Sequence, residues 1–200
     1  MTKQSWRDSL GQYFTTSTEL QEKVYSFILN KPSLILEPSM GRGDLINYVS
    51  ERDNSIKFDM YEIDDTINIL NNYISRDKVI FGDFLEQSIQ TKYKTIIGNL
   101  PFYNALHIHF IYRCYDLLEI GGELVFIVPT NFLTDTPTSS LLDSMIRNGS
   151  FTHIYHPNNT DLFEGVSVDV VVFRYCKDGN IHSNVNEIRD DINKRINNND

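Results

Sequence analysis

The chain reads as an α/β protein: a seven-stranded, mostly parallel sheet with an antiparallel last strand and helices on both faces. Three observations predict it. Short apolar runs alternate with stretches of helical periodicity almost from the start, the rhythm of a wound sheet. Several runs carry adjacent apolar residues, such as Ile96-Ile97, as strands covered on both faces do. The last two runs are joined without a helix, and strands so joined pair antiparallel.

Each element has its own signal. Thr18 followed by Gln21 fits a capping box, and Leu20, Val24, Phe27 and Ile28 repeat at helical spacing up to Lys31-Pro32. "SLILEP" (33–38) is the first strand, and Gly41-Arg42-Gly43 turns it into a helix over 44–50. "IKFDMYEID" (56–64) is the second, with a helix expected over 65–73, and "KVIFGDF" (78–84) is a short third. The fourth, from Tyr93 to Gly98, runs into Asn99-Leu100-Pro101-Phe102, where proline cannot continue the ladder. Behind it Ile108, Ile111, Tyr112, Tyr115 and Leu118 predict an apolar helical face, ended by Gly121-Gly122. "ELVFIVP" (123–129) is the fifth strand. Pro137 opens a helix carrying Leu141, Leu142, Met145 and Ile146, and Gly149 closes it. "FTHIYH" (151–156) and "SVDVVVFRYC" (167–176) are the sixth and seventh strands. From Lys177 the chain is polar and asparagine-rich, a tail or a surface helix.

A length of 200 residues with 40% hydrophobic and 12% aromatic content suits one domain with a sizeable core, which excludes disorder of the whole chain. Neither a signal peptide nor a bilayer-spanning apolar run is present in the sequence, so a soluble, intracellular (cytoplasmic) protein is expected, with no membrane partner. Cys114 and Cys176 lie outside any Cys-x-x-Cys spacing and read as free thiols. His107 and His109, two apart on a helix, share no face, and no metal is expected. The net charge of −9 is uneven: residues 101–176 hold three basic and eight acidic side chains, whereas residues 1–50 balance. A nucleic-acid partner would therefore need a local basic patch or a second protein.

Chemistry concentrates at strand ends, where open α/β sheets bind ligands. Gly41 and Gly43 follow the first strand and would let the backbone pass close to a ligand. Ile46 stands where a dinucleotide fingerprint wants a third glycine or alanine, and Glu37 at the turn's entrance disfavours a pyrophosphate. Glu62 ends the second strand, where a carboxylate can accept from both ribose hydroxyls; Asp83 ends the third, where one can accept from an adenine amino group. Taken singly, each reads as a solvated acid near a turn. Their succession in strand order favours a nucleoside site without phosphate.

With these residues in view, the chain resembles the adenine-specific (N6), S-adenosylmethionine-dependent DNA methyltransferases of class I, in the motif order that places target recognition last. "GQYFTT" (11–16), with Tyr13 and Thr15, resembles the N-terminal cofactor motif; "LEPSMGRGDL" (36–45), with Glu37, Ser39, Gly41 and Gly43, the glycine-rich motif. "YEID" (61–64), with Glu62 and Ile63, resembles the ribose motif, and "GDF" (82–84), with Asp83 and Phe84, the adenine motif. "NLPF" (99–102) resembles the catalytic Asn-Pro-Pro-aromatic tetrad with leucine for the first proline, and "LFEGVSVDVVVFRY" (162–175) the loop and strand that close over the target base.

The resemblance implies a Rossmann-like fold, S-adenosyl-L-methionine as cofactor, and methylation of the adenine 6-amino group in DNA within a restriction-modification system. It implies that Asn99, which also borders the cofactor, and the Leu100 carbonyl accept the amine's hydrogens. Pro101 would shape the turn, and a flipped base would stack on Phe102 and Phe163. Residues 1–176 would be the catalytic domain, with 1–17 as a cofactor-motif arm. Residues 177–200 are too few for a target-recognition domain, so DNA would be bound with help from another chain or segment. Asn-Leu-Pro-Phe also resembles ribosomal-RNA adenine dimethyltransferases. Protein glutamine methylation and a catalytically silent subunit remain open as alternatives.

Overall fold

The computed structural model describes residues 12–134 and 139–198. Seven strands form one sheet: β1 (Leu34–Glu37), β2 (Lys57–Glu62), β3 (Val79–Phe81), β4 (Tyr93–Asn99), β5 (Leu118–Pro129), β6 (Ser150–Tyr155) and β7 (Val170–Cys176), in the order β3-β2-β1-β4-β5-β7-β6. β7 runs antiparallel to both its neighbours, and the pairings among β1 to β5 are parallel. The mostly parallel sheet with an antiparallel last strand is as the sequence predicts.

Helices α1 (Thr18–Phe27) and α2 (Asp44–Arg52) cover one face of the sheet. The other carries α3 (Leu106–Leu117), α5 (Ser139–Arg147) and α6 (Val185–Asn198), and the one-turn α4 (Asn131–Thr134) follows β5. Adjacent strand residues explain the doubled apolar runs: Leu36 and Ile96 enter the core under α3, while Ile35 and Ile97 enter the core under α1 and α2. Gly43 sits at the N-terminus of α2 with φ +88°, and a β-carbon there would lie 2.0 Å from Ile74 Cδ1.

Four expectations are corrected. Ser17, not Thr18, caps α1, its Oγ accepting the Leu20 N–H at 3.4 Å. No helix forms over 65–73. Asp64 instead accepts from the Thr66 amide and hydroxyl at 2.9 and 2.6 Å, Leu70 N–H donates to the Arg42 carbonyl at 2.9 Å, and Arg76 donates to the carbonyls of Asp65 and Ile67. These tertiary partners satisfy a peptide rich in asparagine and β-branched residues, which helices disfavour.

The buried face of α3 is His107, Phe110, Ile111, Cys114 and Leu117, rotated from the expected one, with Tyr112 exposed. Gly121-Gly122 lies inside β5, which begins at Leu118 because that residue already pairs with Tyr93. Pro137 and Gly11 lie outside the described residues. Of the two readings for the C-terminal segment, the helix forms, burying Val185, Ile192 and Ile196 in the core. No helix among the described residues is long and apolar enough to cross a membrane.

Candidate active site

The strand order reverses between β1 and β4, the switch point at which open α/β sheets form a crevice beyond the strands' carboxyl ends. There a cleft of about 750 Å³ is lined by Ser39 and Gly41 after β1, Glu62 and Ile63 at β2, Gly82, Asp83 and Phe84 after β3, Asn99 and Pro101 at β4, and Gln12, Tyr13 and Phe14 from the chain before α1. A smaller cleft of about 260 Å³ shares Tyr13, Phe14, Ser39, Gly41 and Asn99 and adds Thr15, Glu37 and Asp44. The structure thus brings the predicted cofactor residues together, except Gly43, which lines neither cleft.

Glu62 organises the floor. Its Oε2 accepts the Gly41 N–H at 2.8 Å, and its Oε1 accepts Asp64 N–H at 2.8 Å and the Gln12 side-chain amide at 3.1 Å. Gly41 turns with φ +58° to present that N–H. Asp83 caps the short turn Phe84–Glu86, accepting Leu85 N–H at 2.9 Å. Phe84 is buried, stacked on Phe110 with centroids 5.4 Å apart and edge-on to Tyr61 at 5.3 Å. Ile63 is half exposed beside them.

The lining carries four carboxylates, Glu37, Asp44, Glu62 and Asp83, and none of the described lining residues is Lys, Arg or His. Burial is the main cause that raises Glu37 to about 8 and lifts Glu62 above its usual range, against hydrogen bonds from Ser39, Asp64 and Gly41 that pull the other way. Such a cleft repels phosphates and favours a neutral or cationic ligand. Among the described residues no group of three or more His, Cys, Asp or Glu could hold a metal.

At the end of β4, Asn99 Nδ2 donates to the Tyr13 carbonyl at 2.6 Å, and Ser39 Oγ donates to the Asn99 carbonyl at 3.3 Å. Asn99 Oδ1 is buried with no hydrogen-bond partner among the described residues. Leu100 is itself buried in the core and its N–H donates to the Ile127 carbonyl at 3.3 Å, so an apolar side chain suits this position. Phe102 lies 5.6 Å from Tyr13 and 5.8 Å from Phe163, nearly perpendicular to the latter, while Tyr13 and Phe163 are 6.2 Å apart. The three rings form one cluster beside Asn99. The chain then reverses through Asn104 and Ala105, both left-handed at φ 48° and 57°. Consecutive left-handed non-glycine residues are strained, a condition that clusters at functional loops.

Sequence reasoning missed Gln12, Phe14, Leu106 and Phe110. Gln12 was readable from its place in "GQYF"; Leu106 and Phe110 were not, because they reach the cleft only through the rotation of α3.

A seven-stranded sheet of this order, with an acidic cleft at its switch point, defines a class I methyltransferase fold. Solved structures share it. A Listeria monocytogenes protein assigned to the class I S-adenosylmethionine-dependent methyltransferases aligns with a TM-score of 0.62 at 15% identity, over 96% of this chain and 70% of the other. The M protein of the type I restriction enzyme EcoKI aligns at 0.67 and 17% identity, over 86% of this chain and 45% of the other.

Residues 25–163 match the model of the Eco57I restriction-modification methylases, and the chain belongs to that family. The type II methyltransferase M.HincII of Haemophilus influenzae is 31% identical over 214 aligned residues, covering 94% of this chain and 41% of that protein. The ribosomal RNA small subunit methyltransferase A of Mesomycoplasma hyopneumoniae is 34% identical over 123 residues, 60% of this chain and 46% of the other. The chain therefore spans less than half the length of these relatives.

Proposed function

We propose that this chain is the catalytic region of an S-adenosylmethionine-dependent methyltransferase acting on the 6-amino group of adenine in DNA. The observation that carries this reading is the buried Oδ1 of Asn99, which has no partner among the described residues. A buried acceptor without a donor is costly, of order 1–3 kcal/mol, and so marks a place where a ligand N–H is expected. Asn99 Nδ2 is committed to the Tyr13 carbonyl, which fixes the amide and leaves Oδ1 as its uncommitted acceptor.

The donor set fits the cofactor: carboxylates at Glu62 and Asp83 for ribose and adenine, Ile63 and Phe84 as apolar walls, and Tyr13, Thr15, Glu37, Ser39 and Gly41 around the smaller cleft. Bound there, S-adenosylmethionine supplies an electrophilic methyl group on a sulfonium. Asn99 Oδ1 and the Leu100 carbonyl accept the two amine hydrogens. The lone pair, otherwise delocalised into the ring, would then localise on nitrogen, readying it for the methyl group that the sulfonium would give up as its S–C bond breaks. Pro101 holds the Leu100 carbonyl at the strand's exit. Phe102 offers a face to the extruded base, and Phe163, edge-on to it, closes the aromatic wall.

Residues 1–176 carry the chemistry in this reading, with residues 1–17 as the cofactor arm and sequence recognition supplied by another chain or segment. The acidic excess of residues 101–176 in the sequence supports that division. A second reading, methylation of adenine in ribosomal RNA, is favoured by Leu100 and by the similarity to methyltransferase A. Transfer of tritiated methyl to adenine in duplex DNA, and not to ribosomal RNA or protein, is the expected result; transfer to RNA alone would replace the first reading with the second.

A further inference from the structure

Gln12 and Glu62 are joined as a pair of acceptors. Both line the larger cleft, Glu62 from the end of β2 and Gln12 from the chain before α1. An ionised carboxylate offers about four acceptor positions, two on each oxygen. Three of those on Glu62 are filled from within the chain: Oε1 takes the Asp64 N–H at 2.8 Å and Gln12 Nε2 at 3.1 Å, and Oε2 takes the Gly41 N–H at 2.8 Å. The remaining position is on Oε2. A ribose carries two vicinal hydroxyls, so a nucleoside that presents both as donors brings one more than Glu62 can take. The Gln12 amide carries an acceptor to spare. Its nitrogen is committed to Glu62, and its Oε1 is buried with no hydrogen-bond partner among the described residues. An amide carbonyl held out of water without a donor is costly, and a ligand hydroxyl would remove that cost.

We infer that Gln12 reads the ribose of the methyl donor: one hydroxyl donates to Glu62 Oε2 and the other to Gln12 Oε1, so that a side chain of the arm and a carboxylate at a strand end divide the diol between them. The inference rests on the methyl-donor reading above. The two hydroxyls are then unequal. One meets a charged acceptor and the other a neutral one, and hydrogen bonds to charged groups are the stronger. The contact also bears on the chemistry, because the next residue, Tyr13, accepts Asn99 Nδ2 through its carbonyl at 2.6 Å. A ribose that fastens Gln12 thereby fastens the segment that holds the Asn99 amide.

Calorimetric titration of the chain with S-adenosylhomocysteine and with its 2′-deoxy and 3′-deoxy analogues reads each hydroxyl separately. Removing the hydroxyl held by Glu62 weakens binding by more than about tenfold, and removing the one held by Gln12 by about two- to tenfold. In Gln12→Ala the parent ligand binds about two- to tenfold more weakly, the analogue lacking the hydroxyl that Gln12 accepts loses nothing further, and the other analogue keeps its full penalty. A variant that weakens all three ligands by one common factor overturns the inference and makes Gln12 a fastening of the arm alone. Equal penalties for the two hydroxyls on the unaltered chain, or none, overturn it too and leave the cofactor reading standing. Failure of S-adenosylhomocysteine to bind removes the cofactor reading as well. The comparison of the three ligands on the unaltered chain needs no variant to fold.

Discussion

Replacing Asn99 with alanine separates the two jobs of one side chain. Its Oδ1 has no partner among the described residues, so its loss leaves the free protein's hydrogen bonding at that atom unchanged. In the reaction that acceptor faces the nitrogen on which positive charge develops, and removing one such group costs about 2.7–4 kcal/mol, or 10² to 10³ in kcat. Its Nδ2, by contrast, holds the Tyr13 carbonyl at 2.6 Å. Loss of that bond costs about 1–3 kcal/mol in arm docking. Because Tyr13 lines both clefts, donor affinity should fall by up to about tenfold, roughly 1.4 kcal/mol of that cost. Single-turnover transfer of tritiated methyl measures the first effect and calorimetric titration the second. A folded Asn99→Ala chain that keeps more than about a tenth of wild-type turnover would refute the role given to Oδ1.

Glu62→Ala and Asp83→Ala should each weaken donor binding by about 1–3 kcal/mol, read by calorimetry. Glu62→Ala should also lower the melting temperature more, since it strands the Gln12, Gly41 and Asp64 donors, whereas Asp83→Ala strands Leu85. His107 is buried with both ring nitrogens unpartnered among the described residues, and burial lowers it from 6.5 to about 4. The unfolded chain then takes up that proton at higher pH than the folded one, so stability falls as pH drops from 6.5 towards 4. Urea midpoints should show this acid slope reduced in His107→Leu; an unchanged slope would assign it elsewhere. The isolated chain should bind duplex DNA weakly and with strong salt dependence in a gel-shift titration, and tight sequence-selective binding at physiological salt would place a recognition surface within these residues.

Much of the site is legible because its chemistry sits at strand ends. Glu62, Asp83 and Asn99 each close a short apolar run, and the sheet's order brings those ends together without help from side-chain packing. Legibility fails where tertiary contacts overrule local pattern. Residues 65–73 carry apolar residues at workable helical spacing, yet Arg76, Arg42 and Asp64 take their peptide groups. Tyr112 counts as apolar in a periodic reading, but α3 turns Cys114 and His107 inward instead. Ser17 and Thr18 are both able caps, and only the backbone decides between them. The stripe Val185, Ile188, Ile192 and Ile196 was readable at spacings of three and four, but asparagine-rich composition masked it.

The position of β7 has a consequence for how the chain is made. β6 precedes β7 in sequence but lies outside it in the sheet, so a nascent chain that has emerged as far as Tyr155 holds a sixth strand with no native neighbour. Until Val170–Cys176 follows, the edge of β5 stays bare, with buried residues from Leu124 to Val128 awaiting cover. Bare edges of this kind invite pairing with other chains. Arg195 of α6 then donates to the Phe151 and Thr152 carbonyls of β6, so the outermost strand is secured last, by a helix synthesised after every strand. Stalled chains whose emerged part ends between residues 155 and 170 should therefore need chaperone protection that chains emerged past α6 do not.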